Sequence, residues 1–528
     1  VVSDGRVVVV GGGHNGLVAA ALLAKAGLRP LVLERRETLG GAAVTEEFHP
    51  GYRCSTVAHT AGPFRASLVQ ELGLGGDGLA FISPEPRVFA PLPDGRSVRL
   101  WGNAERSAGD IHRLSPRDAE RYPAMARALA AVARVLAKAL AATPPDVDHP
   151  RPRDLWPFLD VGLGLRRLDK GDALALMRWA PMAVADFAAE WFEAEPLRAL
   201  VCGRGVFGCF AGPWSAGTTA NLLLQAAAGG GDLVPTVLVR GGLGALTRAL
   251  GDSAQRHGAE VRTGTEVERF LAENGTVTGV VLAGGEEIRA RAVVSGLDPH
   301  RTFLRLLDPA LLDPDELRRI RNYRIQGACA KVNLALSALP AFAAVKDEDP
   351  RALLGGRIHV GPDVDSIERA FDEAKYGGIA RQPFLEATLP SLTDPSLVPP
   401  GAHAMSVHVQ YTPYRLAQGD WPSRRAELLG IVLDRLEEYA PGLRGLVVGS
   451  QVLTPHDLEA TYGLTGGHPY HGEHALDQLF FTRPLLGWGR YRGPLPGLYL
   501  CGAGTHPGGG VTGAPGANAA REVLRDLR

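Results

Sequence analysis

Apolar residues gather in short unbroken runs near both ends of this chain and in longer, charge-punctuated stretches between them. Val7 to Val10 form one such run, followed by Gly11-Gly12-Gly13-His14-Asn15-Gly16 and a helix-like apolar stretch to Gly27. A second run, Leu31-Val32-Leu33, ends at Glu34. Lengths and flanking glycines read as strand, turn, helix and strand. At the other end Leu498 to Cys501 is a short apolar strand running into a glycine-rich turn, 502–516, with a helix expected over 517–527. Between them, Val239 to Leu246 precede a helix-like run to His257. Alternating runs at 259–262, 265–270, 277–282 and 292–294 read as strands and hairpins.

The stretch from Ser67 to Thr236 has another texture. Helices are expected over 119–142, 174–191 and 216–228, the first amphipathic with Arg121, Arg127, Arg134 and Lys138 interspersed. Residues 149–157 read as a Pro-rich link. A helical cap follows, whose apolar face packs on its own core, lines a channel or touches a membrane surface.

The first glycine turn has a physical reading at each position. Gly11 lets the chain turn off its strand. Gly13 lets a backbone approach a pyrophosphate. Gly16 lets the helix pack closely on the sheet. His14 and Asn15 open that helix, whose free N–H groups and positive dipole end favour phosphate. Glu34 lies about 20 residues on, where an acid accepts hydrogen bonds from a ribose. Arg35 and Arg36 could meet the 2′-phosphate of NADP, but Glu34 would repel it. They are read as solvated loop charges, with Arg35 beside the cofactor.

Composition narrows the class. A chain of 528 residues holds two or more domains, and 45% hydrophobic with 21% charged residues is ordinary for a globular protein. A net charge of −1 argues against a nucleic-acid partner. The five cysteines, Cys54, Cys202, Cys209, Cys329 and Cys501, form no C-x-x-C. That fits a reducing compartment and argues against a dithiol redox centre. The longest uncharged stretch, 205–231, is broken by Gly212-Pro213, so no transmembrane helix is expected. The chain does not begin with Met, which leaves a removed targeting peptide open, although nothing like a signal sequence remains.

Glu34 followed by Gly40-Gly41-Ala42 resembles flavoproteins of the glutathione-reductase type, in which such a pair continues the fold around FAD. The turn from Gly502 to Gly516 resembles the C-terminal flavin-contacting motif of the phytoene desaturase superfamily. That likeness implies Gly502, Gly504, Thr505, Gly510, Val511 and Gly513 along the isoalloxazine ring and ribityl chain, and Val267 against the adenine. Thr454-Pro455, Gly463 to Gly467, His471-Gly472-Glu473, Leu476 to Phe481 and Arg483-Pro484 are similar to one branch of it. This is the branch of pyridine nucleotide-disulfide oxidoreductase domain-containing protein 2 and its bacterial relatives.

The resemblance implies an α/β fold with an FAD-binding Rossmann-type (glutathione-reductase-like) domain built from 1–66, 237–300 and 485–528. A helical cap over 67–236 and a mixed-sheet substrate domain over 301–484 complete it. Strands at 329–336 and 404–409 belong to the sheet expected over the flavin. Gly241-Gly242-Leu243-Gly244 lacks a third glycine, so no NADPH domain is expected. One non-covalent FAD is implied, with cytoplasmic location in a bacterium or the mitochondrial matrix in a eukaryote.

FAD takes hydride, so the expected reaction removes hydrogen from a C–C or C–N bond of a largely apolar small molecule. The expected acceptor of the electrons is dioxygen or a quinone; peripheral membrane contact and a homodimer stay open. Lys331, between Ala330 and Val332, is the first catalytic candidate, because a buried lysine has a lowered pKa and could manage protons or activate oxygen. His471 is the second, as an active-site polar group. His468, His471 and His474 invite a metal reading, but Pro469 and Gly472 break any helix, and no metal is expected. His506 is expected near the ring, and Cys501 as a small core residue rather than a covalent flavin anchor. An amine oxidase would need an aromatic pair at the flavin, for which Tyr470, Trp488 and Tyr491 are the local candidates. A flavin-binding regulatory protein with little turnover is the remaining alternative.

Overall fold

A computed structural model describes residues 5–58, 60–62, 64–146, 152–346 and 348–528. The unbroken apolar runs form a five-stranded parallel sheet, in the order Leu498–Leu500, Ala292–Ser295, Val7–Val10, Pro30–Leu33 and Glu260–Arg262. Four of these strands are buried at every position because both faces of the sheet are covered there, whereas the edge strand Glu260–Arg262 is charged and partly exposed. Val7 and Val9 pack under the helices His14–Lys25, Leu243–Arg256 and Ala514–Leu527. Val8 and Val10 face a three-stranded antiparallel sheet, Val267–Glu273, Thr276–Leu282 and Glu287–Arg289.

A second, seven-stranded sheet lies beside the first. Its order is Val447–Leu453, Cys329–Leu336, His403–Gln410, Phe384–Thr388, Arg357–Val360, Val88–Pro91 and Ser97–Leu100. Arg357–Val360 pairs parallel to Val88–Pro91 and its other neighbours run antiparallel, so the sheet is mixed. Here the residues alternate. Val332, Leu334, Val407, Val409, Leu385 and Ile358 form one core with Leu428, Val432 and Leu436 of the helix Trp421–Glu437. The opposite face carries Lys331, Asn333, Ser406, His408, Glu386 and Arg357, all of them buried.

Three expectations change. The stretch 67–236 is not wholly a cap, since Val88–Pro91 and Ser97–Leu100 are strands of the large sheet. The single helix expected over 174–191 is two, Lys170–Trp179 and Val184–Trp191, because Pro181 lacks the N–H that continuation requires. Of the Pro-rich link at 149–157, residues 149–151 lie outside the described residues. The rest opens a helix, Pro152–Arg167, where a leading proline is tolerated. The long helix is Pro116–Ala141, packed with Glu195–Val206 and Thr218–Ala228 around one core. Trp156, Leu159, Leu163, Leu174 and Met177 of the neighbouring helices stay exposed. Among the described residues no helix is long and apolar enough to cross a membrane.

The first and last helices meet at backbone contact. A Cβ on Gly516 would overlap the carbonyl oxygen of Asn15, whereas one on Gly430, in the helix Trp421–Glu437, would meet nothing within 4 Å. Gly516→Ala should therefore destabilise the fold by about 1–3 kcal/mol. Gly430→Ala should stabilise it by about 0.5–1 kcal/mol through unfolded-state entropy. Thermal unfolding of the two variants checks this; equal shifts would show that the helix crossing tolerates a methyl group.

Candidate active site

A cavity of about 560 Å³ runs from the carboxyl ends of the parallel strands to the polar face of the large sheet. At the first end the chain turns at Gly11, with φ +99°, and its N–H donates to the Leu33 carbonyl at 2.8 Å. The Gly12 N–H donates to Glu34 Oε2 at 2.8 Å and the Arg36 N–H to Oε1 at 2.9 Å. Glu34 is thereby fixed and buried, and each oxygen keeps a lone pair for a further donor. A Cβ on Gly16 would overlap the Gly11 carbonyl, while one on Gly13 would meet nothing within 4 Å. The cradle is thus closed toward the sheet and open toward the cavity. His14 Nε2 and Asn15 Oδ1 line the cavity and are buried without a hydrogen-bond partner. Two helix N-termini, a fixed acid and these polar atoms fit a phosphorylated nucleotide with a ribose.

Of the expected contacts, Gly11, Gly13, His14, Asn15, Gly16, Glu34, Arg35, Gly40, Gly41, Ala42, Val267, Gly510 and Val511 line the cavity. Gly502, Gly504, Thr505 and Gly513 stand behind its wall. Gly502 packs on the carbonyls of Gly296 and Leu297, Gly504 on Pro299, and Gly513 on Leu68. The Thr505 hydroxyl donates to the Gly502 carbonyl at 2.8 Å. The arginines are half-buried and partnered rather than free loop charges. Arg35 Nη2 donates to the carbonyls of Ala460 and Thr461, both at 2.8 Å, and Arg36 pairs with Glu46 below the Tyr462 ring. They fasten residues 460–462 to the nucleotide end.

Lys331 lines the far end and is buried. Desolvation brings its amine down to about 7, with Cys54 and Cys329 beside it. It stands opposite His408, His408 opposite Glu386, and Glu386 opposite His359, a row across four strands. His408 Nε2 bonds Gln410 Oε1 at 3.0 Å, and its ring stacks on Phe207 at 4.3 Å. Arg204 pairs with Glu386, and Arg357 Nε lies 3.7 Å from the same carboxylate. Sequence reading missed Arg204, Phe207, Arg357 and His408, all of which line the cavity. The signal for two of them was available: polar residues at every second position of 357–360 and 406–410 mark one continuous face. Arg204 and Phe207 carry no such signal, because they arrive from the helix Glu195–Val206 and its end.

His471 also lines the cavity, at φ +56°, with Nδ1 unpartnered and its carbonyl accepting from the Tyr323 hydroxyl at 3.0 Å. Desolvation lowers its pKa to about 4, and that of His14 to about 4, so both stay neutral near pH 7. His468 and His474 take other partners: His468 Nδ1 accepts from the Tyr470 N–H, and His474 Nδ1 bonds Asn221 Oδ1 at 3.0 Å. His506 turns away from the cavity, with Nε2 at 3.3 Å from the Ala139 carbonyl and its ring against Phe480. Cys501 sits in the helix-side core. Of the three aromatic candidates Tyr470 alone lines the cavity, held against His474. Trp488 packs on Phe303, and the Tyr491 hydroxyl donates to the His506 carbonyl.

The family model described as flavin containing amine oxidoreductase matches residues 16–524. Pyridine nucleotide-disulfide oxidoreductase domain-containing protein 2 of Rattus norvegicus is 38% identical, over 99% of this chain and 93% of its own. A limonene dehydrogenase polypeptide of Castellaniella defragrans is 29% identical, over 99% and 94%. A neurosporene-forming phytoene desaturase of Cereibacter sphaeroides is 26% identical, over 99% and 94%. A flavin match that spans both sheets agrees with a cradle and a buried polar face sharing one cavity. The chain belongs to the flavin-containing amine oxidoreductase family and is a flavin-dependent oxidoreductase.

Proposed function

We propose that this enzyme holds one non-covalent FAD and removes hydride from a C–C or C–N bond of a small molecule with a large apolar part. The observation that carries this is the single cavity joining the Glu34 cradle to Lys331 and Tyr470. FAD, when bound, supplies the hydride acceptor. The chain supplies the rest. Gly13, His14, Asn15 and Glu34 would hold the nucleotide. Leu140, Phe207, Leu224 and Ala228 give the cavity an apolar lining, with Phe207 stacked on His408 at the substrate end. Lys331, with a pKa near 7, can hold or release a proton at Nζ close to neutral pH. Two relatives bear the names of enzymes that dehydrogenate limonene and desaturate phytoene, which favours carbon–hydrogen chemistry. Trp156, Leu159, Leu163, Leu174 and Met177 are exposed on two helices, which supports peripheral membrane contact.

Acid precipitation should release one FAD per chain into the supernatant; colour kept in the pellet would overturn non-covalent binding. Glu34→Ala removes a charged acceptor and should weaken FAD about ten- to a hundredfold, read in a flavin-release titration.

Under anaerobic conditions, a panel of alkene, alcohol and amine substrates should include compounds that bleach the flavin. A flavin that stays yellow throughout would favour a regulatory protein with little turnover.

Burial of Lys331 also sets a pH dependence. The unfolded chain keeps this proton to about pH 10, and the folded chain releases it near pH 7. Between those values the unfolded state binds more protons, so this group's contribution to stability rises with pH. Its penalty is full below pH 7 and gone above about pH 10. Lys331→Met should accordingly stabilise the protein more at pH 6 than at pH 10, measured by denaturant unfolding. An equal change at both would mean that the amine is not desolvated in the fold.

A further inference from the structure

The substrate end of the cavity carries more buried positive charge than its surroundings balance. Arg204 and Arg357 are 2% and 5% exposed, and both lean on the one carboxylate of Glu386. Arg357 Nη2 donates to the Pro235 carbonyl at 2.7 Å and lies 3.4 Å from the Thr60 hydroxyl. Its Nε and Nη1 are buried with no hydrogen-bond partner.

Among the described residues, the other titratable groups named here do not cancel the excess. Burial holds His359, His408 and His474 neutral, and Lys331 adds positive charge whenever it is protonated. The Tyr470 phenol lies within electrostatic reach of both guanidinium groups, but burial keeps it protonated. Asp232, the other carboxylate felt by Arg357, lies 3.9 Å from Arg87 Nε, and burial pushes its pKa up. Two buried guanidinium groups that share one carboxylate are costly unless a ligand supplies further negative charge. Arg357 Nη2 is taken by Pro235 and Nε lies toward Glu386, so Nη1 is the donor left over, and a carboxylate can accept a charge-assisted hydrogen bond from it. The same cavity also has an apolar lining, which includes Leu140, Phe207, Leu224 and Ala228, with Phe207 against Arg204.

We propose that the substrate is an anionic amphiphile whose carboxylate docks at Nη1 of Arg357, beside Arg204 and Tyr470, with its apolar body along the apolar lining of the cavity. This rests on the reading of the cavity as the substrate end of a flavin oxidoreductase. The nucleotide's phosphates are provided for at the opposite end, by the Gly13 cradle, so they do not account for Arg357. Carboxylate docking also separates this site from one built for a neutral hydrocarbon, which would leave the guanidinium unmatched.

Isothermal titration calorimetry of the purified full chain tests the proposal without needing turnover. The probes are octanoate and phenylacetate, each against its neutral amide, and octylamine. The acids should bind at least tenfold tighter than the amides, and octylamine weakest. In Arg357→Met the acid–amide preference should fall below threefold with FAD content unchanged, and Arg357→Lys should recover part of it. No preference in the unaltered protein, or the same preference in Arg357→Met, overturns the proposal. So does loss of FAD from a folded Arg357→Met chain, which would give the guanidinium to the cofactor. If Arg357→Met fails to fold, the acid–amide comparison in the unaltered protein decides alone. Absence of bound FAD would instead defeat the flavin reading, while the heats still report on the carboxylate.

Discussion

Backbone-to-backbone approach at glycine is the constraint on which this architecture depends. Gly16 lies against the Gly11 carbonyl and Gly516 against the Asn15 carbonyl, with no room for a side chain at either place. These contacts bring two helix N-termini together over the ends of the parallel strands, and the Glu34 carboxylate is locked beside them by two backbone N–H groups. Partial positive charge and free donors are therefore concentrated where a phosphorylated ligand would lie. The apolar runs of the sheet serve the same end. They keep both faces covered, so the cradle rests on a rigid base.

The second sheet solves a different problem. One face is a hydrocarbon core under the helix Trp421–Glu437, and the other is a buried polar floor. Burying Lys331, His408, Glu386, Arg204 and Arg357 together is unfavourable without pairing. The Arg204–Glu386 ion pair and the His408–Gln410 hydrogen bond relieve part of the penalty. What is left is a chamber in which an amine and the histidines have pKa values displaced from their usual range. Displacement of this kind, at the end of a nucleotide cavity, is a mark of reactive sites.

Most of the nucleotide end was legible in the sequence. Four valines, a glycine turn and an acid at the end of the next strand have few physical solutions, and they describe a local unit whose parts lie within about 30 residues. The strand Cys329–Leu336 was legible as well, because its length and composition are those of a buried strand. The C-terminal turn was less legible, because the direction each of its residues takes depends on what packs behind it. His506, Gly502 and Gly504 belong to the expected motif, yet the turn directs them to Ala139, Gly296 and Pro299 rather than to the cavity.

The sequence by itself determined the strand–turn–helix chemistry, the helical character of the middle of the chain and the alternation of the large sheet, since each follows from local backbone and side-chain periodicity. Only the tertiary structure decided which distant residues share the chamber. Arg204 comes from a helix, and Lys331, Arg357 and His408 come from three strands of one sheet. No periodicity within any one segment encodes their meeting; it depends on strand order and on how the helices pack across the polar face. For the same reason the excess charge at Arg357 is invisible in a chain whose total charge is −1. Balance over the whole molecule does not constrain the balance inside one buried cavity.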